Sequence, residues 1–400
     1  MAKLLVLGAV VGFVVSVVYA AEEAGPSPVA KGGNAFAVDL YAKLREQKGN
    51  LFFSPYSISS ALAMTYAGAR GNTATQMAKV LHFDIEPDKL HAAYGALTGS
   101  LNAAGKAGDF ALSVANALWA QKGYAFLPDF LSLVEKSYDA KVMEADFQGN
   151  AEGSRKTINR WVERQTRDKI QDLIPQGVLN AMTRLVLTNA VYFKGNWVHP
   201  FKDRATSDGP FTLLGGDKVE TPMMHQAERF GYLDTDEFQA LEMPYKGGML
   251  AMAVFLPKKA DGLPDFEKSL TADGLEAWLS KLSRQEVIVT FPKFKTTSAF
   301  SLGDPLKAMG MADAFSGAAD FSGMSTQERF FIQAALHKAF VDVNERGTEA
   351  AAATAVIMGA TAMPPRPKPV FTADHPFLFL IRDTRSGTIL FLGRVMNPKE

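Results

Sequence analysis

The chain has 400 residues, 47% of them hydrophobic, and its 42 Lys and Arg are balanced by 42 Asp and Glu. So apolar a chain can bury a large core, and zero net charge without a basic stripe argues against nucleic acid, whose binding depends on clustered cations that displace phosphate counterions. There is no cysteine, which removes both disulfide staples and thiol nucleophiles and leaves stability to packing.

In chain order, Lys3 is followed by an apolar run from Leu4 to Val18, and Val18-Tyr19-Ala20 has the small-residue pattern of a cleavage site. Residues 1–20 read as a signal peptide, so the protein is expected to be secreted, to an extracellular or periplasmic space. The competing reading is an uncleaved anchor, because Leu4 to Ala21 just reaches the lower length of a membrane span. Residues 21–33 are Pro/Gly-rich and read as a flexible spacer, with one domain from 34 to 400.

Asn34 then opens a helix with Phe36, Leu40 and Leu44 on one face. Ser54-Pro55 gives a cap followed by proline at the first helical position, with Ile58, Leu62 and Tyr66 at helical spacing, and a short helix starts near Asn72. Phe110 to Trp119 alternates as a strand, a helix follows Pro128, and Ile158, Trp161 and Val162 mark another. Arg184 to Phe193 is almost continuously apolar, the pattern of a central strand covered on both faces. Strands follow at Gln239 to Pro244, Met249 to Leu256, Glu286 to Phe294, Phe331 to Asn344, Pro376 to Arg382 and Thr388 to Val395. Helices come first and strands later, an α+β order rather than alternating βαβ units.

Enzymatic signatures are missing. No Gly-x-Ser-x-Gly elbow occurs. Gly99 to Lys106 has the wrong glycine spacing for a phosphate loop, with Ala107 where a hydroxyl is needed. His82, His91, His199, His225, His337 and His375 never fall at the i, i+4 spacing of a helical zinc site, and Asp234, Asp236 and Glu237 lack the rest of a calcium loop. No metal or cofactor is expected. Lys89 to Lys106 holds only its two terminal lysines, which argues against a heparin-like polyanion.

The segment Glu345-Arg346-Gly347-Thr348-Glu349-Ala350-Ala351-Ala352-Ala353-Thr354-Ala355 remains. Alanine favours helix, but a long strand precedes the segment and Met363-Pro364-Pro365-Arg366-Pro367 follows it, which favours an exposed, extended run from about Gly347 to Met363. Here the chain resembles the serpins. The matching stretches are Asn50 to Ile58, Leu187 to Trp197, Asn344 to Ala355 and Ala373 to Phe377, in order, and together they cover the chain from about Asn34 onward.

The resemblance implies a single α+β domain with three β-sheets and about nine helices, and a reactive-centre loop at about 345–367. It implies suicide inhibition: a serine protease cleaves the loop, is held as an acyl-enzyme, and the loop inserts into the main sheet. The serpin supplies no catalytic residue and acts as an inhibitor, not an enzyme. Family spacing puts the reactive bond at Thr361-Ala362. The hinge comprises Glu345, Gly347, Thr348, Ala350, Ala351, Ala352, Ala353 and Thr354. Ser54, Ser57, Asn189 and His337 match the shutter beneath the sheet, and Trp197, Lys293 and Glu345 match the breach where the loop enters.

Alternate side chains of an inserting strand point inward, so Thr348, Ala350, Ala352 and Thr354 must be small and uncharged, while Glu349 points outward. The fifteen residues from Gly347 to Thr361 span roughly 50 Å. Some twenty new ladder hydrogen bonds are worth on the order of 10–20 kcal/mol. Small or apolar residues before the bond suit elastase-like or subtilisin-like targets. A papain-like cysteine protease is a second class of partner, and a monomer is expected. The alternative is a non-inhibitory serpin, a carrier or chaperone.

Overall fold

The computed structural model describes residues 28–106, 110–327, 329–348 and 367–400. The apolar N-terminal run lies outside them. The first half of the chain gives α1 (Pro28–Leu44), β1 (Leu51–Phe53), α2 (Pro55–Tyr66), α3 (Gly71–Leu81), α4 (Pro87–Lys106), β2 (Phe110–Gln121), α5 (Pro128–Tyr138), β3 (Val142–Ala145), α6 (Phe147–Gln165) and β4 (Leu185–Asn196). The second half gives β5 (Thr206–Thr212), β6 (Lys218–Asp234), β7 (Phe238–Pro244), β8 (Leu250–Pro257), α7 (Leu263–Ser269), α8 (Ala272–Ser280), β9 (Ser283–Pro292), β10 (Phe294–Ser301) and α9 (Gly303–Met309). It closes with β11 (Ala334–Asn344), β12 (Gly347–Thr348), β13 (Val370–Thr372), β14 (Phe377–Asp383) and β15 (Ile389–Val395). The fold is α+β, with nine α-helices among the described residues.

The first helix corrects the sequence reading. Helix α1 begins at Pro28, so residues 28–33 belong to the domain rather than to a spacer, and Val29 and Ala30 are buried. Proline pre-sets the helical φ in a first turn. A Cβ at Gly32 would lie 2.3 Å from the His82 carbonyl oxygen, so glycine is what lets the two segments approach. Asn34 is mid-helix: its Nδ2 donates to the Gly387 carbonyl and its Oδ1 accepts from the Ile389 N–H, both at 2.9 Å, tying α1 to the start of β15.

The Ser54-Pro55 start is seen as read, with the Ser57 N–H donating to Ser54 Oγ at 3.1 Å. Helix α2 is buried along almost its whole length, with only Tyr66 partly exposed, because it runs between the two sheets.

Two hydrogen-bonded sheets hold the strands. The six-stranded sheet has the order β10-β11-β12-β4-β2-β3, with β11 also paired directly to β4. The nine-stranded sheet runs β1-β15-β14-β8-β7-β6-β9-β13, with β5 on β6. The third sheet implied by resemblance is not separate here. The 17-residue β6 pairs with β5 and β9 along most of its length and with β7 at its end, so one long strand joins the two parts.

Strand β4 is central, as its apolar run suggested, and the six-stranded sheet is buried on both faces. Leu187, Val191 and Phe193 face the main core with α2. Val186 and Ala190 face a second apolar cluster under α6, with Trp119, Ile158 and Val162.

Candidate functional site

Strands β4 and β11 run parallel and pair directly over seven residues, from Ala334 opposite Val186 to Phe340 opposite Tyr192. Beyond that point they diverge, and β12 enters between their C-terminal ends. Gly347 and Thr348 pair with Asn344 and Val343 on β11 and with Asn196 and Gly195 on β4. The loop expected to be exposed from Gly347 onward is therefore already in the sheet at its first two residues. Both are buried, and the Thr348 hydroxyl lies 2.8 Å from Tyr245 Oη. Burial pushes the Tyr245 phenol far up, so it stays a neutral hydroxyl that can share this bond.

Gly347 is fixed by geometry. Its φ is +150°, and a Cβ would fall 2.0 Å from the Gly195 carbonyl oxygen.

The three breach residues converge on the same point. Trp197 stacks on Tyr245 at 4.5 Å between ring centroids, and its Nε1 donates to the Asn344 carbonyl at 3.1 Å. The Trp197 N–H donates to the Arg346 carbonyl (2.9 Å) and the Phe201 N–H to the Glu345 carbonyl (2.7 Å), which pins the turn from β11 into β12. Lys293 Nζ is 3.0 Å from the Glu345 carboxylate, and Thr206 Oγ1 donates to Glu345 Oε1 at 2.8 Å. Burial alone would raise the Glu345 carboxyl, but its hydrogen bonds, from its own backbone N–H, Lys293 and Thr206, hold it below its ordinary value.

The shutter residues also meet. His337 on β11 and Asn189 on β4 are direct neighbours in the parallel ladder, and His337 Nδ1 is hydrogen-bonded to Asn189 Oδ1. The backbone N–H of Ser54 donates to His337 Nε2 at 3.3 Å. An N–H can only donate, so Nε2 is the bare nitrogen and Nδ1 carries the proton. Burial pushes His337 down to about 3, which keeps this neutral tautomer.

Asn189 Nδ2 donates to Ser57 Oγ at 2.8 Å and to Asn116 Oδ1 at 2.6 Å, and Ser54 Oγ donates to the Leu390 carbonyl at 2.6 Å. Asn116, on β2, returns a bond to the Ser57 carbonyl at 3.1 Å. Sequence reasoning passed over Asn116. Its signal was an amide in the middle of an apolar strand, where a buried amide needs partners. Tyr245 was missed too, and nothing local marks it.

Ala350, Ala351, Ala352, Ala353, Thr354, Thr361 and Ala362 lie outside the described residues. Among the described residues no group of three or more His, Asp or Glu side chains could hold a metal ion, and no helix is long and apolar enough to cross a membrane.

A sheet whose two central strands part to receive the start of a loop, over a polar cluster that links them, defines a protein built to take up another strand. Residues 31–398 match the family described as serpin (serine protease inhibitor). The chain belongs to the serpin family, and it is an inhibitor of proteases rather than an enzyme. Leukocyte elastase inhibitor of Homo sapiens is 44% identical over 374 residues, 91% of this chain and 97% of that protein. An uncharacterized serpin-like protein of Thermococcus kodakarensis is 43% identical over 381 residues, 95% of this chain and 88% of that one. Among solved structures, uncleaved ovalbumin superposes with a TM-score of 0.84 at 32% identity, covering 93% of this chain and all of that one.

Proposed function

We propose that this serpin traps elastase-like or subtilisin-like serine proteases through cleavage at Thr361-Ala362, with the loop from Gly347 to Thr361 as the segment that inserts and Gly347 to Thr354 as its hinge. The observation that carries the reading is the register of β12. Thr348 lies between Gly195 and Val343, and farther along the sheet Asn189 lies directly opposite His337. The two registers agree: continuing β12 one residue at a time reaches the Asn189–His337 pair with no slip.

That continuation places Glu349 between Lys194 and Asp342, Ala350 between Phe193 and Val341, and Thr354 between Asn189 and His337. Glu349 then faces outward beside Lys194, which lies opposite it on β4. Thr354 reaches the shutter, where its hydroxyl replaces the partner that His337 and Asn189 lose when they separate. Alanines are needed on both faces, not only on the inward one, since the outward face of this sheet is covered by α6 from about residue 190 downward.

Insertion breaks the seven-pair ladder between β4 and β11 and makes about twenty new bonds, leaving a net gain on the order of 10 kcal/mol. This exceeds the loss of the His337–Asn189 bond and is comparable to the whole stability of an ordinary domain. It supports an inhibitor rather than a carrier or chaperone, because a small-residue hinge that starts from a seated Thr348 brings no bulky or charged side chain to the inward face once β4 and β11 part.

The high identity to proteins named leukocyte elastase inhibitor supports small-residue specificity, as do Ala360, Thr361 and Ala362 and the absence of Lys and Arg between Gly347 and Pro365. A papain-like protease is a secondary target, and the working form is a monomer. Residues 1–20 act as a cleaved signal peptide, which N-terminal sequencing of the exported protein checks: a first residue of Met1 contradicts it.

The main test incubates the protein with elastase-like, subtilisin-like, trypsin-like and papain-like proteases. Complexes that survive denaturing electrophoresis, with the cut after Thr361, are expected for the first two. Clean cleavage without any complex overturns the proposal.

A further inference from the structure

The ladder between β4 and β11 starts at Val186 and Ala334, and at that end, away from β12, a side chain continues the pairing. The Gln333 N–H donates to the Leu185 carbonyl at 3.1 Å, and Gln333 Oε1 accepts from the N–H groups of Leu185 (3.0 Å) and Arg184 (2.6 Å). Its Nε2 donates to the Met182 carbonyl at 2.6 Å. A carboxamide offers the same C=O and N–H as a peptide group, so the Gln333 side chain stands in for a strand beside β4. Leu185 is buried and Met182 is 71% exposed, which puts this stand-in where the β4 edge emerges from the core.

That edge is where an inserting loop has to finish. Thr348 pairs with Gly195 and Val343, and ten further residues in the same register put Met358 between Leu185 and Gln333, with Thr361 opposite Met182. The Leu185 N–H and C=O both face the gap, so they are the two groups that the main chain of an arriving Met358 takes. In the uncleaved form Gln333 holds both. A loop halted one residue earlier, at Ile357, leaves the four residues to Thr361 outside the sheet, about 13 Å of extended chain. The protease bound to Thr361 is then pulled that much less far. A residue that only capped the end of β4 would keep its bonds before and after insertion, whereas this register requires Gln333 to surrender them.

We infer that Gln333 is a latch on the far end of the six-stranded sheet, which holds β4 to β11 in the uncleaved form and is displaced by the main chain of Met358 in the last stage of insertion. It touches neither the protease nor the reactive bond and acts as a positioning residue. Because Met358 supplies the bonds to Leu185 that Gln333 gives up, the latch resists opening before the loop arrives and yields once it does. The inference rests on the inhibitory reading and adds to it the residue that governs how completely the loop is taken up.

The test uses Gln333→Ala and, as the conservative variant, Gln333→Glu, whose carboxylate still accepts from both N–H groups. One readout is hydrogen exchange of residues 182–187 in the intact protein and after a cut in the loop. The other is the rate at which the intact protein takes up a synthetic peptide of residues 349–361. For the Ala variant, exchange should rise at least about threefold in the intact form, the factor for one lost hydrogen bond, and match the wild type in the cut form. Its peptide uptake should be faster by at least about the same factor, with the Glu variant closer to the wild type in both readouts. Exchange raised equally in the intact and cut forms makes Gln333 an ordinary strand cap and overturns the latch. Uptake by the Ala variant at the wild-type rate overturns it too, and both results leave the inhibitory reading standing. A wild type that takes up no peptide and forms no denaturant-resistant complex with any protease overturns both.

Discussion

His337 sits at the one place where opening the sheet must break a side-chain bond across the gap, to Asn189. Its ordinary value is 6.5, and burial lowers it to about 3 in the folded protein, so between those values only the unfolded chain takes up the proton. Stability is therefore complete above about pH 6.5 and falls as pH drops toward 3, by up to about 1.4 kcal/mol per pH unit. His91, pushed down to about 4 by burial, adds to the same trend. Urea unfolding of the wild type and of His337→Gln between pH 7.5 and 5 should give a steeper loss for the wild type below about pH 6. Equal slopes would show that His337 titrates normally in the folded state. Glu345 acts in the same sense in a more acidic window: its folded value is lowered, so its stabilising contribution is present above the ordinary carboxylate range and is lost as the pH falls through its folded value.

At the scale of elements, β12 is a short strand held by a single tolerant position. A side chain at Gly347 would collide with the Gly195 carbonyl, so Gly347→Val should expel the first turn of the hinge and slow its return after cleavage. The expected readout is a several-fold rise in inhibitor molecules consumed per protease, with the rate of loop cleavage unchanged. An unaltered number would mean that the hinge does not re-enter by this route. The Lys194 position makes a second, independent check. Lys194→Glu places like charge beside the incoming Glu349 and should also raise the number consumed, and the swap Lys194→Glu with Glu349→Lys should restore it. A double variant no better than the single one would disprove the register.

Elements with local signals were legible in the sequence. The Ser54-Pro55 cap and the apolar β4 each state their role within a few positions. What was not legible depended on distance. Asn116 acquires its role only when β2 aligns with β4 and α2, and Tyr245 only when Thr348, 103 residues later, arrives at its hydroxyl. The start of α1 was obscured because Gly32 and Gly33 look like breakers until the His82 carbonyl beside Gly32 is known. The joining of two sheets through β6 follows from strand length and bending, for which sequence periodicity has no marker.

For the whole molecule, the uncleaved form stands short of its most stable arrangement, with β4 and β11 paired directly where another strand fits between them. The measurement that bears most directly on this is the melting temperature before and after a single cut in the loop, made by a protease that is not trapped. A gain on the order of 10 kcal/mol in a folded domain of about 370 residues corresponds to a rise of more than about 10 °C. A cut protein that melts at the temperature of the intact one, its loop left outside the sheet, would contradict the account.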